Sequence, residues 1–447
     1  MRTHRRTALV GAVLALALAS ACGGDDDDGG ESAATSAPAE TDAAATTAGA
    51  ETTAATETTA GAETTAAEAS DTTEAPDTTS GGPATGEPIQ VIGIGSFESP
   101  TLSVPWTQTA IEVRVEALNE AGGINGRPVE VEFCNDRSDP NEASACARRA
   151  GEIGAVAALG GVTQQAPAIL PVLAEAGIPW LGGMGSSGVI ELEDPNSWPL
   201  HGGATGLLYG VGKAMVDAGG TKFAVITTDT ASSVVAGDTQ AVAIEAAGGA
   251  TPAIHYTTAD TVDFSAVVAT ALEGGTDAVA ITTVVDQAPK IVQALRQAGF
   301  QGIIGTSSSH IPQPAIDALG ADAEGILIGF RLVPVVTEGN ATIDQYTAEM
   351  TARQPDIRLD ELGLNAWASV NLFADLAERL DTVDAASLTA ELQNLTEPVD
   401  LGEIIPPYGS LEAPAEFPQA RNFVAIVANI EGGTYVQQGD FVNPFES

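Results

Sequence analysis

GGVTQQAPAILPVLAEAGIPWLGGMGSSG, residues 160–188, decides how the rest of the chain is read. The apolar run 155–159 just ahead of it reads as a strand and 161–165 as a polar loop. The stretch to about 176 reads as a helix, 178–181 as a short strand, and the small residues beyond as a second loop. In a parallel α/β sheet the loops after the carboxyl ends of strands line the crevice where ligands bind. Both loops offer hydroxyls, amides and uncrowded backbone N–H groups, from Thr163, Gln164 and Gln165 in the first and Ser186 and Ser187 in the second. Such a lining suits a small polar molecule, although glycine and serine also serve simply as turn formers.

The same alternation continues on both sides. Strands over 89–95, 129–133 and 156–159 and helices over 107–121, 141–150 and 167–175 complete a βαβαβαβ lobe, hence a parallel sheet between helices. The helix over 107–121 buries Ala110, Ile111, Val113, Val115 and Leu118 and stops at Gly122-Gly123, as C-terminal glycines dictate. From about residue 205 a second series follows: helix 207–218, strand 222–227, helix 237–247, strand 253–256, helix 264–272, strand 278–282, helix 288–298 and strand 302–305. Residues 325–336 read as a strand crossing back, followed by helices over 341–353, 362–380 and 385–395 and a last strand over 422–430. The expected fold class is α/β, with two Rossmann-like lobes of parallel sheets flanked by helices and a cleft between them. Three crossings near Thr205, Val333 and Pro406 would form the hinge. One lobe would be 89–205 with 335–405, the other 206–334 with 406–447.

The ends and the charge place the molecule. Residues 1–6 are basic, and 8–19 are apolar or small, about a dozen residues and too short for a membrane-spanning helix of roughly twenty. Ala19-Ser20-Ala21 before Cys22 resembles a bacterial lipoprotein signal, in which the cysteine is lipidated and becomes the new N-terminus; a plain signal-peptidase cut after Ala21 is the other reading. Lipoprotein signals usually carry leucine three before the cysteine, where this chain has Ala19 and places Leu18 one position earlier. Residues 23–88 hold no aromatic residue, lysine or arginine; they cannot bury enough apolar area to offset chain entropy and read as a disordered tether spanning roughly 45 Å.

The formal net charge is −43. Fifteen of the sixty acidic residues lie in 23–88 and three of the seventeen basic ones in 1–22, so 89–447 carries 45 acids against 14 bases, −31. Such a surface repels nucleic acid and anionic membrane and suits an extracytoplasmic, solute-facing protein attached to the membrane through lipid only. With Cys22 assigned to lipid, Cys134 and Cys146 form an even pair. In an exported chain that pattern points to one disulfide, brought together by the turn at Asp139-Pro140.

Catalytic and cofactor signatures are missing. Gly93-x-Gly95 ends the first strand, but the third position of a dinucleotide fingerprint is Glu98, which would repel a pyrophosphate. Ser186 has Met184 two before it and Ser187 has Val189 two after, so neither forms Gly-x-Ser-x-Gly. His4, His201, His255 and His310 are scattered, with no metal-ligand spacing. A triad assembled in space around His310 or His255 is the route left to an enzyme, and a ligand-sensing module working with a membrane partner is another alternative. No metal and no cofactor is expected.

Over residues 89 to 445 the chain resembles the branched-chain amino-acid-binding periplasmic proteins, the solute receptors of ABC importers with the type I periplasmic-binding fold. The resemblance rests on the opening strand with Gly93-x-Gly95 and on AGGINGRPVEVEFCNDRSDPNEASACAR (121–148). AEAGIPWL (174–181), DFSAVVATALEGGTDAV (263–279) and ALRQAGF (294–300) add to it. It implies a receptor that captures an amino acid or amide-like solute between its lobes and delivers it to a membrane permease. It also implies that the loops at Thr163–Gln165 and Ser186–Ser187 hold the ligand carboxylate, with Ser233, Asp286 and Ser308 contributing from the second lobe. Two departures stand out: 229–237 lacks the usual tyrosine, and 306–309 lacks the glutamate that usually meets the ligand's ammonium. Asp286 or Glu98 would have to replace that charge.

Overall fold

The computed structural model describes residues 83–445. The expected signal, Cys22 and nearly all of the tether lie outside them. Just ahead of the first strand, the Ala84 N–H donates to Asn119 O (3.2 Å) and the Gly86 N–H to Gly126 O (2.9 Å), so the tether's last residues are fixed on the turn that follows the first helix.

The first half runs β1 (Ile89–Gly95), α1 (Pro105–Glu120), β2 (Val129–Asn135), α2 (Pro140–Glu152), β3 (Ala158–Leu159), α3 (Ala166–Ala176), β4 (Trp180–Leu181), α4 (Ile190–Glu193) and β5 (Ser197–Trp198). The strands form one parallel sheet in the order β2-β1-β3-β4-β5. β1 is apolar on both sides because both faces are covered. Ile89 and Val91 point into the core shared with Ile111, Val115 and Leu118 of α1, while Ile92 and Ile94 pack with Ala147 of α2 and Ile169 and Leu173 of α3. Pro140 and the Asp139 cap, whose carboxylate accepts the Asn141 N–H at 2.8 Å, start α2, and this lets the chain double back. Cys134 of β2 and Cys146 of α2 are bonded, with Cα atoms 5.5 Å apart.

The second half runs α5 (Gly203–Asp217), β6 (Phe223–Thr228), α6 (Ala231–Ala246), β7 (Ala253–Thr257), α7 (Ser265–Ala271), β8 (Ala278–Thr282), α8 (Ala288–Gln297), β9 (Ile303–Ser307), α9 (Gln313–Leu319) and β10 (Leu327–Phe330). α10 (Ala341–Arg353), α11 (Glu361–Glu378) and α12 (Ala385–Gln393) follow, then β11 (Ile426–Glu431) and β12 (Thr434–Gln437). The second sheet has the order β12-β11-β10-β9-β8-β6-β7. It is mixed rather than wholly parallel, since β11 runs antiparallel to both β10 and β12. The cause is local. Gly432 and Gly433, at φ 59° and 82°, form the two-residue loop with both φ positive that joins antiparallel strands tightly.

The second sheet is also a sandwich. Val225 and Ala280 face Val211 and Met215 of α5; Ala224, Ile226 and Ile281 face Val268 of α7 and Ile291 and Leu295 of α8.

α11 is the element that positions the site. It follows strands β6 to β10 of the second sheet in the chain yet packs with α1, burying Leu364, Trp367, Val370 and Phe373. The loops after β3 and β4 lie directly on it. A Cβ on Gly160 would stand 2.5 Å from Ser369 Oγ, and one on Gly182 2.4 Å from Ser369 Cβ. With φ at 56° and 71°, both positions demand glycine twice over.

Candidate ligand-binding cleft

Each sheet has a point where the strand order reverses, between β1 and β3 in the first and between β6 and β8 in the second. In open α/β sheets such reversal points are where the loops beyond the carboxyl ends part and ligands bind.

On the first wall the hydroxyls are tied inward. Asp136, fully buried at the end of β2, accepts from Ser96 Oγ at 2.6 Å, from the Ser138 N–H at 2.8 Å and from the Thr163 hydroxyl. Thr163 Oγ1 in turn accepts the Gln165 N–H (2.9 Å), and the Gln165 amide donates to Ser138 O (3.3 Å). Ser187 Oγ donates to Thr163 O (3.0 Å) and accepts the Ala166 N–H (3.1 Å). Thus Thr163, Gln165 and Ser187 are brought together by bonds within and between the two loops. Gln164 is exposed and Ser186 half-buried.

Glu191, the second residue of α4, lies buried beneath the second loop and accepts the N–H groups of Gly185 (3.2 Å) and Ser187 (2.9 Å). Burial pushes its carboxyl up to about 7 despite these donors, because desolvation disfavours the charged form. VIELEDP carries no local mark of burial, so Glu191 was not among the candidate residues; its burial follows from the loop folding over it.

On the second wall, Ser233 is buried in the first turn of α6, where its carbonyl accepts from Thr227 Oγ1 at 2.7 Å. Asp286 stands exposed on the turn before α8, and Glu98 is exposed beyond β1.

Ser308, just after β9, is joined to a cluster between the sheets. Its hydroxyl donates to Glu361 Oε1 (2.9 Å). Glu361 begins α11, where the helix N-terminus favours a carboxylate. It also accepts the Arg331 N–H (3.1 Å) and pairs with the Arg331 guanidinium. The Arg331 side chain is 15% exposed, and its Nε is buried with no partner among the described residues.

His201, fully buried, accepts the Gly203 N–H on Nδ1 (3.0 Å). Burial and the nearby Arg331 charge push its imidazole down to about 3. His310 is likewise held below its ordinary value by burial, with Arg331 contributing. Asn365 of α11 donates to Gly182 O (2.9 Å), linking this cluster to the first wall. Arg331, Glu361 and Asn365 were not singled out in the sequence, and His201 only as one of four scattered histidines; they come from three distant segments that only the crossings between sheets bring together.

His310 forms no catalytic triad. Its Nε2 donates to Thr283 O (2.7 Å), its Nδ1 accepts from Ser307 Oγ (2.5 Å), and the nearby carboxylate of Glu361 binds Ser308 instead. His255 lies on the edge strand β7, beside a hollow of about 540 Å³ bordered by α7 and away from this cluster. Among the described residues no group of His, Cys, Asp and Glu could hold a metal ion, and no helix is long and apolar enough to cross a membrane.

A family signature described as periplasmic binding protein matches residues 94–422. No curated protein sequence matches the chain. Among solved structures, it is similar to a putative branched-chain amino acid ABC transporter protein from Rhodospirillum rubrum, with TM-score 0.65 and 17% identity over 78% of this chain and 99% of that one. It is also similar to a leucine-binding protein from Thermotoga maritima, with TM-score 0.60 and 18% identity over 80% and 99%. A third is a solute-binding protein from R. palustris solved in complex with 4-hydroxybenzoate, with TM-score 0.58 and 14% identity over 80% and 97%. At such identities the structural likeness speaks for the fold alone, while the family signature spans most of the chain. The two sheets flanked by helices and that signature together make this chain a member of the periplasmic binding protein family, with the type I fold.

Proposed function

We propose that this protein is an extracytoplasmic receptor, not an enzyme, that captures a small polar solute between its lobes and delivers it to an ABC importer. The observation that supports the reading is that the segments after β4, β9 and β10 meet polar side chains at the start of α11, on a fold whose family binds solutes. The lobes would be 89–205 with 335–405 and 206–334 with 406–447, closing about the three crossings, with bound solute shifting the open–closed equilibrium. Thr163, Gln164, Gln165, Ser186, Ser187, Ser233, Asp286 and Ser308 are the proposed lining. Lipid on Cys22 would hold the chain at the outer face of the cytoplasmic membrane, on its tether, beside the permease.

A thermal-shift screen of the purified chain against amino acids, amides, polyamines and aromatic acids tests the reading. A ligand at a hundredfold excess over its dissociation constant adds about 2.7 kcal/mol to stability. A shift with one chemical class is the expected result, and no shift with any solute counts against a receptor. Cys22→Ala should move the protein from the membrane fraction to the soluble one; membrane retention would remove the lipid anchor from the proposal.

A further inference from the structure

Strand β7 ends the second sheet, pairing with β6 on one side and with no strand on the other among the described residues. The Asp229 N–H donates to Thr257 O (2.7 Å), so the backbone of Thr257 faces β6. The N–H and C=O of one strand residue point the same way and alternate along the strand. Ile254 and Tyr256 therefore turn theirs outward, where neither has a partner among the described residues. Exposed edges are usually guarded by lysine, proline or a bulge. AIHYT holds no lysine or proline, and its register with β6 is unbroken.

This edge borders the hollow of about 540 Å³. Residues 254–258 form one side, and Asp263, Ala266, Val267 and Thr270, just before and along α7, form the other. Tyr256 is 50% exposed and Val262, beside Asp263, is 84% exposed. A strand edge running beside a helix gives an incoming extended peptide both main-chain partners and seats for its side chains. Ala266 and Val267 offer an apolar seat. The Asp263 carboxylate accepts the Ser265 hydroxyl (2.7 Å) and N–H (2.9 Å) on Oδ1, and these bonds hold it below the ordinary carboxylate range. It meets the peptide ionised.

Charge selects the occupant. Residues 23–88 hold fifteen acids and no lysine or arginine, and a second copy brings a net charge of −31 over 89–447; an acidic edge repels both.

We propose that the groove between β7 and α7 docks an extended, basic segment of a partner protein as an added strand. The segment bonds to the Ile254 and Tyr256 main chain, with an apolar side chain on Ala266 and Val267 and a lysine or arginine on Asp263. This surface shares no residue with the proposed solute lining and does not depend on it.

The test uses the purified full chain and the fluorescence anisotropy of labelled, end-blocked heptapeptides Thr-x-Thr-Lys-Thr-x-Thr, with x valine, leucine or phenylalanine. At least one should bind saturably. Exchanging its lysine for glutamate should weaken it fivefold or more. Asp263→Asn keeps an acceptor for Ser265 and should weaken it by about two- to fivefold, the range of a solvent-exposed ion pair. Tyr256→Pro removes an N–H that β6 does not use, a change edge strands accept, and should weaken binding tenfold or more, with the fold checked by circular dichroism. No saturable binding by any of the three peptides, equal binding of the lysine and glutamate forms, or binding undiminished in either folded variant overturns the proposal. Dimerisation of the full chain in sedimentation, lost in Tyr256→Pro, would give the edge to a second copy and overturns it as well.

Discussion

Replacing Glu191 by glutamine isolates the electrostatics of the first wall. In the folded protein this carboxyl titrates near 7 against an ordinary value of 4.5, because it is wholly buried. The proton is held more tightly by the folded state than by the unfolded one, so stability falls as pH rises from 4.5 to about 7 and is constant outside that window. At about 1.4 kcal/mol per pH unit, that gap is worth about 3 kcal/mol. Glutamine removes the titration. It keeps one acceptor for the N–H groups of Gly185 and Ser187 and turns its amide N–H₂ toward the other, an offset of about 1–3 kcal/mol that does not vary with pH. Urea unfolding of both proteins between pH 4 and 8 gives the difference in stability at each pH, in which groups unaffected by the substitution cancel. That difference should move by about 3 kcal/mol in favour of the variant as pH rises from 4.5 to 7. A flat difference would refute the assignment of Glu191 as a buried carboxyl beneath the loop.

Three further outcomes are expected. Replacing Cys134 and Cys146 together by serine opens a short loop, with a sequence separation of 12, and should cost about 3 kcal/mol of unfolding free energy; an unchanged denaturation midpoint would show that the crosslink does not clamp β2 to α2. Gly182→Ala forces a Cβ to 2.4 Å from Ser369 Cβ at positive φ, and should destabilise the chain by roughly 2–4 kcal/mol in urea unfolding. Retained stability there would argue that the β4 loop does not rest on α11. Trp106 donates to the Asp360 carboxylate (2.9 Å) that caps α11 beside Glu361, and Arg358 lies 4.4 Å over its ring. Any tryptophan fluorescence change on ligand binding should therefore be lost mainly in Trp106→Phe, and a change that survives there would place its source at Trp180, Trp198 or Trp367 instead.

The sequence made the fold legible where one physical signal dominated. β1, β8 and α10 begin and end where the apolar periodicity and the flanking turn residues put them, because strands covered on both faces and amphipathic helices leave distinct patterns. Glycines ended α1, and Asp139-Pro140 started α2. Short elements were missed. α4, β5, α9 and β12 run four, two, seven and four residues, too short for periodicity to register, although Gly432-Gly433 between two β-rich runs was a usable hairpin signal for β12. Strands β3 and β4 were drawn too long, since only two residues of each enter the ladder.

By itself, then, the sequence determined the α/β alternation, the pairing of Cys134 with Cys146 and the two small-residue loops of residues 160–188, all of which depend on neighbours within about twenty residues along the chain. The tertiary structure alone decided which side of each loop its donors face, and that Asp136 and Glu191 occupy them. It alone joined Arg331 from the end of β10, Glu361 from the start of α11 and Ser308 from beyond β9. The reason is that charge pairing and burial are properties of space. A carboxylate in VIELEDP or LDELGLN carries no local mark of being enclosed; only the chain's repeated crossing between the two sheets encloses it.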